Sequence, residues 1–150
     1  MSNASTMKTQ IDAKLVATLS GYTKIPDPYD PEENNILYLK KGYGIAYGPG
    51  QNLSRYATCR RTYQTEISIL LVNQITTTDH NTAAREAIEN SLMNDADALK
   101  YAIELDPDLN GNSAKTVYLD DSGIEYIKSD RARFYAVQIN FTCEYHKNLS

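Results

Sequence analysis

The stretch from 133 to 146 constrains the fold most. Tyr135, Val137, Ile139, Phe141, Cys143 and Tyr145 alternate there with Ala136, Gln138, Asn140, Thr142, Glu144 and His146. Successive side chains of a strand point to opposite faces, so this period of two predicts a strand with one apolar and one polar face. A second alternating stretch runs from 60 to 73. Tyr63, Thr65, Ile67, Ile69 and Leu71 share one face, and Thr62, Gln64, Glu66 and Ser68 share the other. Its end, Leu70-Leu71-Val72, is apolar on both sides and predicts cover on both faces.

Helical periodicity supplies the covering layer. Ile11, Leu15 and Leu19 recur every fourth residue, with Val16 widening the stripe and Gly21 placed to end the helix, which predicts a helix over 7–20. Thr76, Thr77, Thr78 and Asp79 are candidate N-caps for a second helix. Ala84, Ile88, Leu92, Leu99, Ala102 and Ile103 carry its period to about residue 105, with Asn94-Asp95 a candidate break into two helices and Pro107 and Gly111 its end. The outer face of this helix is acidic, with Glu86, Glu89, Asp95, Asp97 and Glu104 against Arg85 and Lys100.

Residues 22–35 hold three of the five prolines and predict an extended, loop-like connection. A short strand follows over 36–41. Gly42, Gly44, Gly48 and Gly50 then argue against a rigid regular element, and residues 42–55 are expected to form a mobile loop or hairpin carrying Tyr43, Ile45 and Tyr47. Two short strands, 115–119 and 124–128, flank Asp120-Asp121-Ser122-Gly123 and predict a hairpin. The expected fold is α+β: one domain over 1–150, with a mostly antiparallel sheet and the N-terminal and central helices packed on one face. Residues 1–6, small and polar, read as a flexible N-terminus.

The motifs of familiar chemistry fail in detail. The glycine-rich stretch has Tyr47 where a dinucleotide loop needs glycine, and no Gly-Lys-Ser/Thr exists. Asp106, Asp108, Asn110 and Gly111 resemble the opening of a calcium loop, but position 12, which needs a bidentate Glu, is Val117. His80, His146, Cys59 and Cys143 stand at no metal-ligand spacing, and Cys143 falls on the apolar side of its strand. No nucleophile elbow is present. No catalytic, metal or cofactor-binding residue is therefore assigned.

Composition narrows the partners. Net charge is −4, which argues against a protein-wide basic field for nucleic acid. No run approaches the ~18 apolar residues of a membrane span, and the N-terminal residues lack the apolar core of a secretory signal. Two cysteines make no disulfide framework, so a soluble, mildly acidic domain of a reducing compartment is expected. Tyrosine supplies 12 aromatic residues against two phenylalanines and no tryptophan, and tyrosine and arginine are enriched at interface cores. Residues 1–75 carry a balance of +2 and residues 76–150 one of −6. Tyr43, Ile45, Tyr47, Arg55, Tyr56, Arg60 and Arg61 form a candidate basic, tyrosine-rich contact region, with Glu86 and Glu89 on the acidic helix opposite. Unlike surfaces on one subunit suit head-to-tail contact between copies, which makes a ring when the rotation closes.

The layout resembles the tail terminator and tail completion proteins of long-tailed bacteriophages, also called tail-to-head joining proteins. The residues that carry the resemblance are an N-terminal helix and a variable loop region, the strand in RRTYQTEISILLVNQ, the acidic helix in DHNTAAREAIENSLMNDADALKYAIEL, and a hairpin before the strand in SDRARFYAVQINFTCEYH. The likeness spans about 7–147 and lies in order and alternation, not in invariant letters. It implies a structural virion protein, non-enzymatic and without cofactors, that assembles as a six-fold ring on the last layer of the tail tube and meets the head connector or neck protein. Its place is the virion tail or neck, after assembly in the host bacterial cytoplasm. No membrane and no specific nucleic acid is implied, DNA at most passing through the ring. Another neck or head-completion component is the alternative. A small α+β ligand-binding domain or enzyme, with a pocket beneath the glycine-rich stretch using Tyr43, Tyr47, His80 or His146, is a third reading.

Overall fold

A computed structural model describes residues 4–24, 41–52, 60–75, 82–105, 115–128 and 133–148. Two helices, α1 (Ala4–Thr18) and α2 (Thr82–Leu105), accompany six strands: β1 (Thr23–Lys24), β2 (Lys41–Asn52), β3 (Arg60–Ile75), β4 (Lys115–Asp121), β5 (Glu125–Lys128) and β6 (Arg133–Asn148). The class is α+β with a mostly antiparallel sheet, as the periodicities predict.

The two alternating segments form the centre of the sheet. β3 and β6 pair antiparallel along their whole lengths, from Arg60 opposite Asn148 to Ile75 opposite Arg133. In this register Ile67 meets Phe141, Ile69 meets Ile139 and Leu71 meets Val137. All six are buried on the helix-covered face, in one cluster with Ile11, Leu15 and Leu19 of α1 and Leu92, Ala96, Leu99 and Ile103 of α2. Each such aliphatic side chain contributes about 1.5–3 kcal/mol by leaving water. At one end the opposite face is buried too: Val72, Phe134 and Ala136 form a second cluster, with Leu70 and Ile127 against it. The apolar run at 70–72 is thus covered on both sides.

Several expectations change. α1 begins at Ala4, so residues 4–6 belong to the helix rather than to a flexible end. Val16 does not widen the buried stripe; it is 67% exposed, one position off the Ile11–Leu15–Leu19 line. Gly21, at φ 85°, turns the chain out of the helix so that the Tyr22 N–H donates to the Leu19 carbonyl. The next residues, Thr23 and Lys24, pair parallel with Gly42 and Tyr43. α2 runs unbroken through Asn94-Asp95, because Asn94 faces solvent and the Asp95 carboxylate accepts the Tyr22 hydroxyl at 2.6 Å.

Of the two forms expected for the glycine-rich segment, loop or hairpin, the described residues take the hairpin. From Lys41 to Asn52 it is β2, paired with β3 as the first arm of a hairpin, with a bulge between Tyr47 and Gly50. The reason is alternation. Tyr43, Ile45 and Tyr47 point into the core, while Gly42, Gly44, Ala46 and Gly48 take the other face. Glycine in a strand costs roughly 0.5–1 kcal/mol; the ladder and the burial of Tyr43, 4% exposed, offset it.

The expected hairpin at 115–128 is also corrected. β3 occupies one side of β6 throughout, and both β4 and β5 pair with its other side. They are successive parts of one interrupted edge strand, not partners. At the jog, Ser122 N–H donates to the Gln138 carbonyl, Gln138 N–H donates to Ser122 Oγ, and Gly123 adopts φ 71°. The turn-like sequence therefore offsets a strand instead of reversing it. The sheet order is β1-β2-β3-β6-β4, with β5 beside β6 beyond β4. The expected strand over 36–41 lies outside the described residues except for Lys41, as do Pro107, Gly111 and the cap candidates at 76–79.

Candidate functional site

Of the residues marked as a contact region, three turn inward. Tyr43 is a core residue, Ile45 and Tyr47 are half-buried against the same core, and Lys8 of α1 lies 5.3 Å from the Tyr47 ring centre. This corrects their assignment to a partner surface: period two places all three beneath the helices. Burial pushes the Tyr43 and Tyr47 phenols up, with nearby Asp12 adding to the effect at Tyr47. The Tyr47 hydroxyl is buried without a hydrogen-bond partner. Arg55 and Tyr56 lie outside the described residues. Arg60 and Arg61 begin β3, opposite Asn148 and Lys147. Glu86 is exposed on α2 and Glu89 half-buried.

The pocket expected beneath the glycine-rich stretch loses its first group, since Tyr43 is packed in the core. His80 is outside the described residues, and of His146 only its place opposite Thr62 is described. A small cavity lies between α1, α2 and the sheet, lined by Ile11, Lys14, Ile67, Ile69, Ile103, Thr116 and Phe141, and the surface exposed inside it is apolar. Cys143, fully buried, has its thiol pushed up to about 12 by burial and then by Glu144, which disfavours the nucleophilic thiolate. Among the described residues no group of His, Cys, Asp and Glu is arranged to hold a metal ion.

Two polar clamps tie helices to the sheet. In the first, Asp121 Oδ2 accepts from Lys100 Nζ at 2.7 Å and from the Tyr118 hydroxyl at 2.8 Å, and its Oδ1 accepts from Gly123 N–H at 2.8 Å. These bonds, Lys100's first, hold the Asp121 carboxyl down at about 2. Burial alone would lower the Lys100 pKa, but Asp121 outweighs it and the net shift is upward. Tyr118 is raised as well, first through its bond to Asp121. Every oxygen of this carboxylate is engaged, so it fastens α2 to the β4 edge rather than exchanging protons. In the second clamp Tyr22 donates to Asp95, Lys41 Nζ lies 3.5 Å from the same carboxylate, and Asn73, 3% exposed, hydrogen-bonds the Tyr22 hydroxyl. Burial, then Asp95, pushes the Tyr22 phenol far up. Asn73 Oδ1 is left without a partner.

Part of the sheet's far face is polar among the described residues. Ser68 donates to Asn140 Oδ1, Gln138 donates to the same oxygen, and Asn140 donates to Asp120, a polar ladder across β3, β6 and β4. Six large apolar side chains are exposed among the described residues, and three of them lie on the outer edge strand: Val117 at 44%, Leu119 at 50% and Tyr126 at 45%. Sequence reasoning passed over these three. The alternation of Val117 and Leu119 with Thr116 and Tyr118 was the available signal. Comparison with family models and with curated proteins gives no match.

Proposed function

We propose that this chain is a structural protein of a long-tailed bacteriophage virion, a subunit that joins copies of itself in a ring, caps the tail tube and offers a surface to the head connector. The observation that carries the reading is the arrangement of the sheet. A ring requires each subunit to present two different surfaces on opposite sides. The order β1-β2-β3-β6-β4 ends in two unlike edges, with both helices on one face between them. The first helix, the long strand, the long helix with exposed acids and the last long strand follow the order on which the resemblance rests, whereas the hairpin it expects before the last strand is an interrupted edge strand.

Light scattering across a concentration series, with and without purified tail tubes, tests the proposal. A closed oligomer near six subunits, or a monomer recruited to tube ends, is the expected result. A monomer that neither associates nor binds tubes overturns it.

A further inference from the structure

We infer that neighbouring copies meet through the two ends of α2. A basic corner beside its N-terminal end in one copy takes the acidic, partly apolar face of its C-terminal half in the next. The inference rests on the ring reading and names its junction.

The corner is built by strand register. Tyr126 and Tyr135 stand opposite one another across β5 and β6, with ring centres 5.8 Å apart, and two positions on Lys128 stands opposite Arg133. Side chains two apart share a face, so both bases flank the two rings on the side of the helices. α2 brings a third cation there: the Arg85 guanidinium lies over the Tyr126 ring, 6.0 Å from its centre. Lys128 and Arg133 are exposed, Tyr126 is 45% exposed, and Arg85 Nε is buried without a partner. No carboxylate among the described residues pairs with any of the three bases. Like charges directly opposite on neighbouring strands repel, and an anion from outside offsets that repulsion. The ring under Arg85 already holds the cation in place, which lowers the entropy lost on binding.

The complementary surface lies farther along the same helix. Met93, Asp97, Tyr101 and Glu104 follow at helical spacing and form one stripe. All four are exposed, Tyr101 at 65% and Met93 at 48%. Lys100, the only base in this half of α2, is drawn inward, 2.7 Å from Asp121 against 3.6 Å from Asp97. Acids around two exposed apolar side chains complement bases around an exposed tyrosine, in the pattern of apolar centre and charged rim that interfaces use.

Two features select a second copy. Glu86 and Glu89, within about one turn of Arg85, oppose a continuous polyanion such as nucleic acid at the corner, whereas separate carboxylates meet the bases singly. Neither patch accepts itself, because like charge would face like, so the contact is head-to-tail as a ring demands. Arg85 and Tyr101 are separated by roughly 24 Å of helix, which sets the two patches apart on the subunit.

Charge exchange tests the junction. One variant carries Lys128→Glu and Arg133→Glu, a second Asp97→Lys and Glu104→Lys. Association is read by light scattering and, with tail tubes, as copies bound per tube end. Each variant alone is expected to associate about tenfold more weakly than the parent chain, or worse, with its melting temperature unchanged. An equimolar mixture of the two is expected to recover association, since each offers the charge that the other now lacks. Tyr101→Ala is expected to weaken association with no change of charge. Variants that associate like the parent, or a mixture that recovers nothing, overturn the junction and leave the ring standing. An oligothymidylate bound by the parent and lost by the Lys128→Glu, Arg133→Glu variant, while association persists, assigns the corner to nucleic acid and overturns the junction. A parent chain that neither associates nor binds tubes overturns both the junction and the ring.

Discussion

The centre of the sheet and its β4–β5 edge are held by different physics. In the centre, β3 and β6 pair over their whole lengths, and Ile69, Leu71 and Ile139 are fully buried under two helices. Stability there is apolar area and close packing. At the edge, the strand bulges at Leu119, jogs at 122–124 and leaves Val117, Leu119 and Tyr126 exposed. What fastens it inward is a carboxylate, Asp121, gripped by a lysine of α2, a tyrosine and a backbone N–H. The centre makes the fold; the edge keeps its shape with little burial and leaves three large apolar side chains exposed.

Four substitutions sharpen this contrast. Ile139→Ala leaves a cavity between the helices and the sheet and is expected to cost about 2–5 kcal/mol in a denaturant titration. A loss no larger than that of an edge substitution would break the distinction.

At the edge, Asp121→Asn is expected to cost less, about 1–2 kcal/mol at neutral pH after allowance for solvent screening. Its signature is the pH profile. The folded carboxyl sits at about 2 against an ordinary 3.8. Its contribution is therefore present above the ordinary value and lost as pH falls from there through about 2. The variant should flatten that part of the acid limb of the stability curve; an unaltered limb would show that the clamp carries no weight.

Tyr22→Phe probes the second clamp, at the opposite side of the sheet. Removing the hydroxyl takes a partner from both Asp95 and Asn73, and a cost of about 1 kcal/mol is expected by thermal or chemical unfolding. No measurable change would mean that water replaces the hydroxyl at both groups.

Leu119→Ser is the smallest in stability. The side chain is half exposed, so a change within about 0.5 kcal/mol is expected. A large destabilisation would show that Leu119 supports the subunit itself.

The elements were legible in unequal degree. Alternation in 135–145 and 62–71 identified both central strands and their inward faces, since a period of two is a property of the strand alone. The spacing of Ile11, Leu15 and Leu19 likewise identified the buried line of α1. The candidate site was less legible. Tyr43, Ile45 and Tyr47 were read by residue type as contact groups, and their burial follows from a pairing partner that local sequence does not reveal. Val117 and Leu119 alternate like core residues and are exposed because β4 lies at the rim of the sheet.

Local sequence by itself determined which faces of β3, β6, α1 and α2 are apolar, because strand and helix periods act within one segment. Only the tertiary structure decided the rest. Glycine-rich 41–52 became a strand because β3 offered a ladder and the core took its tyrosines. Asn94-Asp95 stayed helical because Tyr22 reached the carboxylate from α1's far side of the sequence. The turn at 120–123 became a jog because β6 continued past it with an open side. In each case a weak local preference, worth about 1 kcal/mol or less per residue, yielded to contacts made from far along the chain.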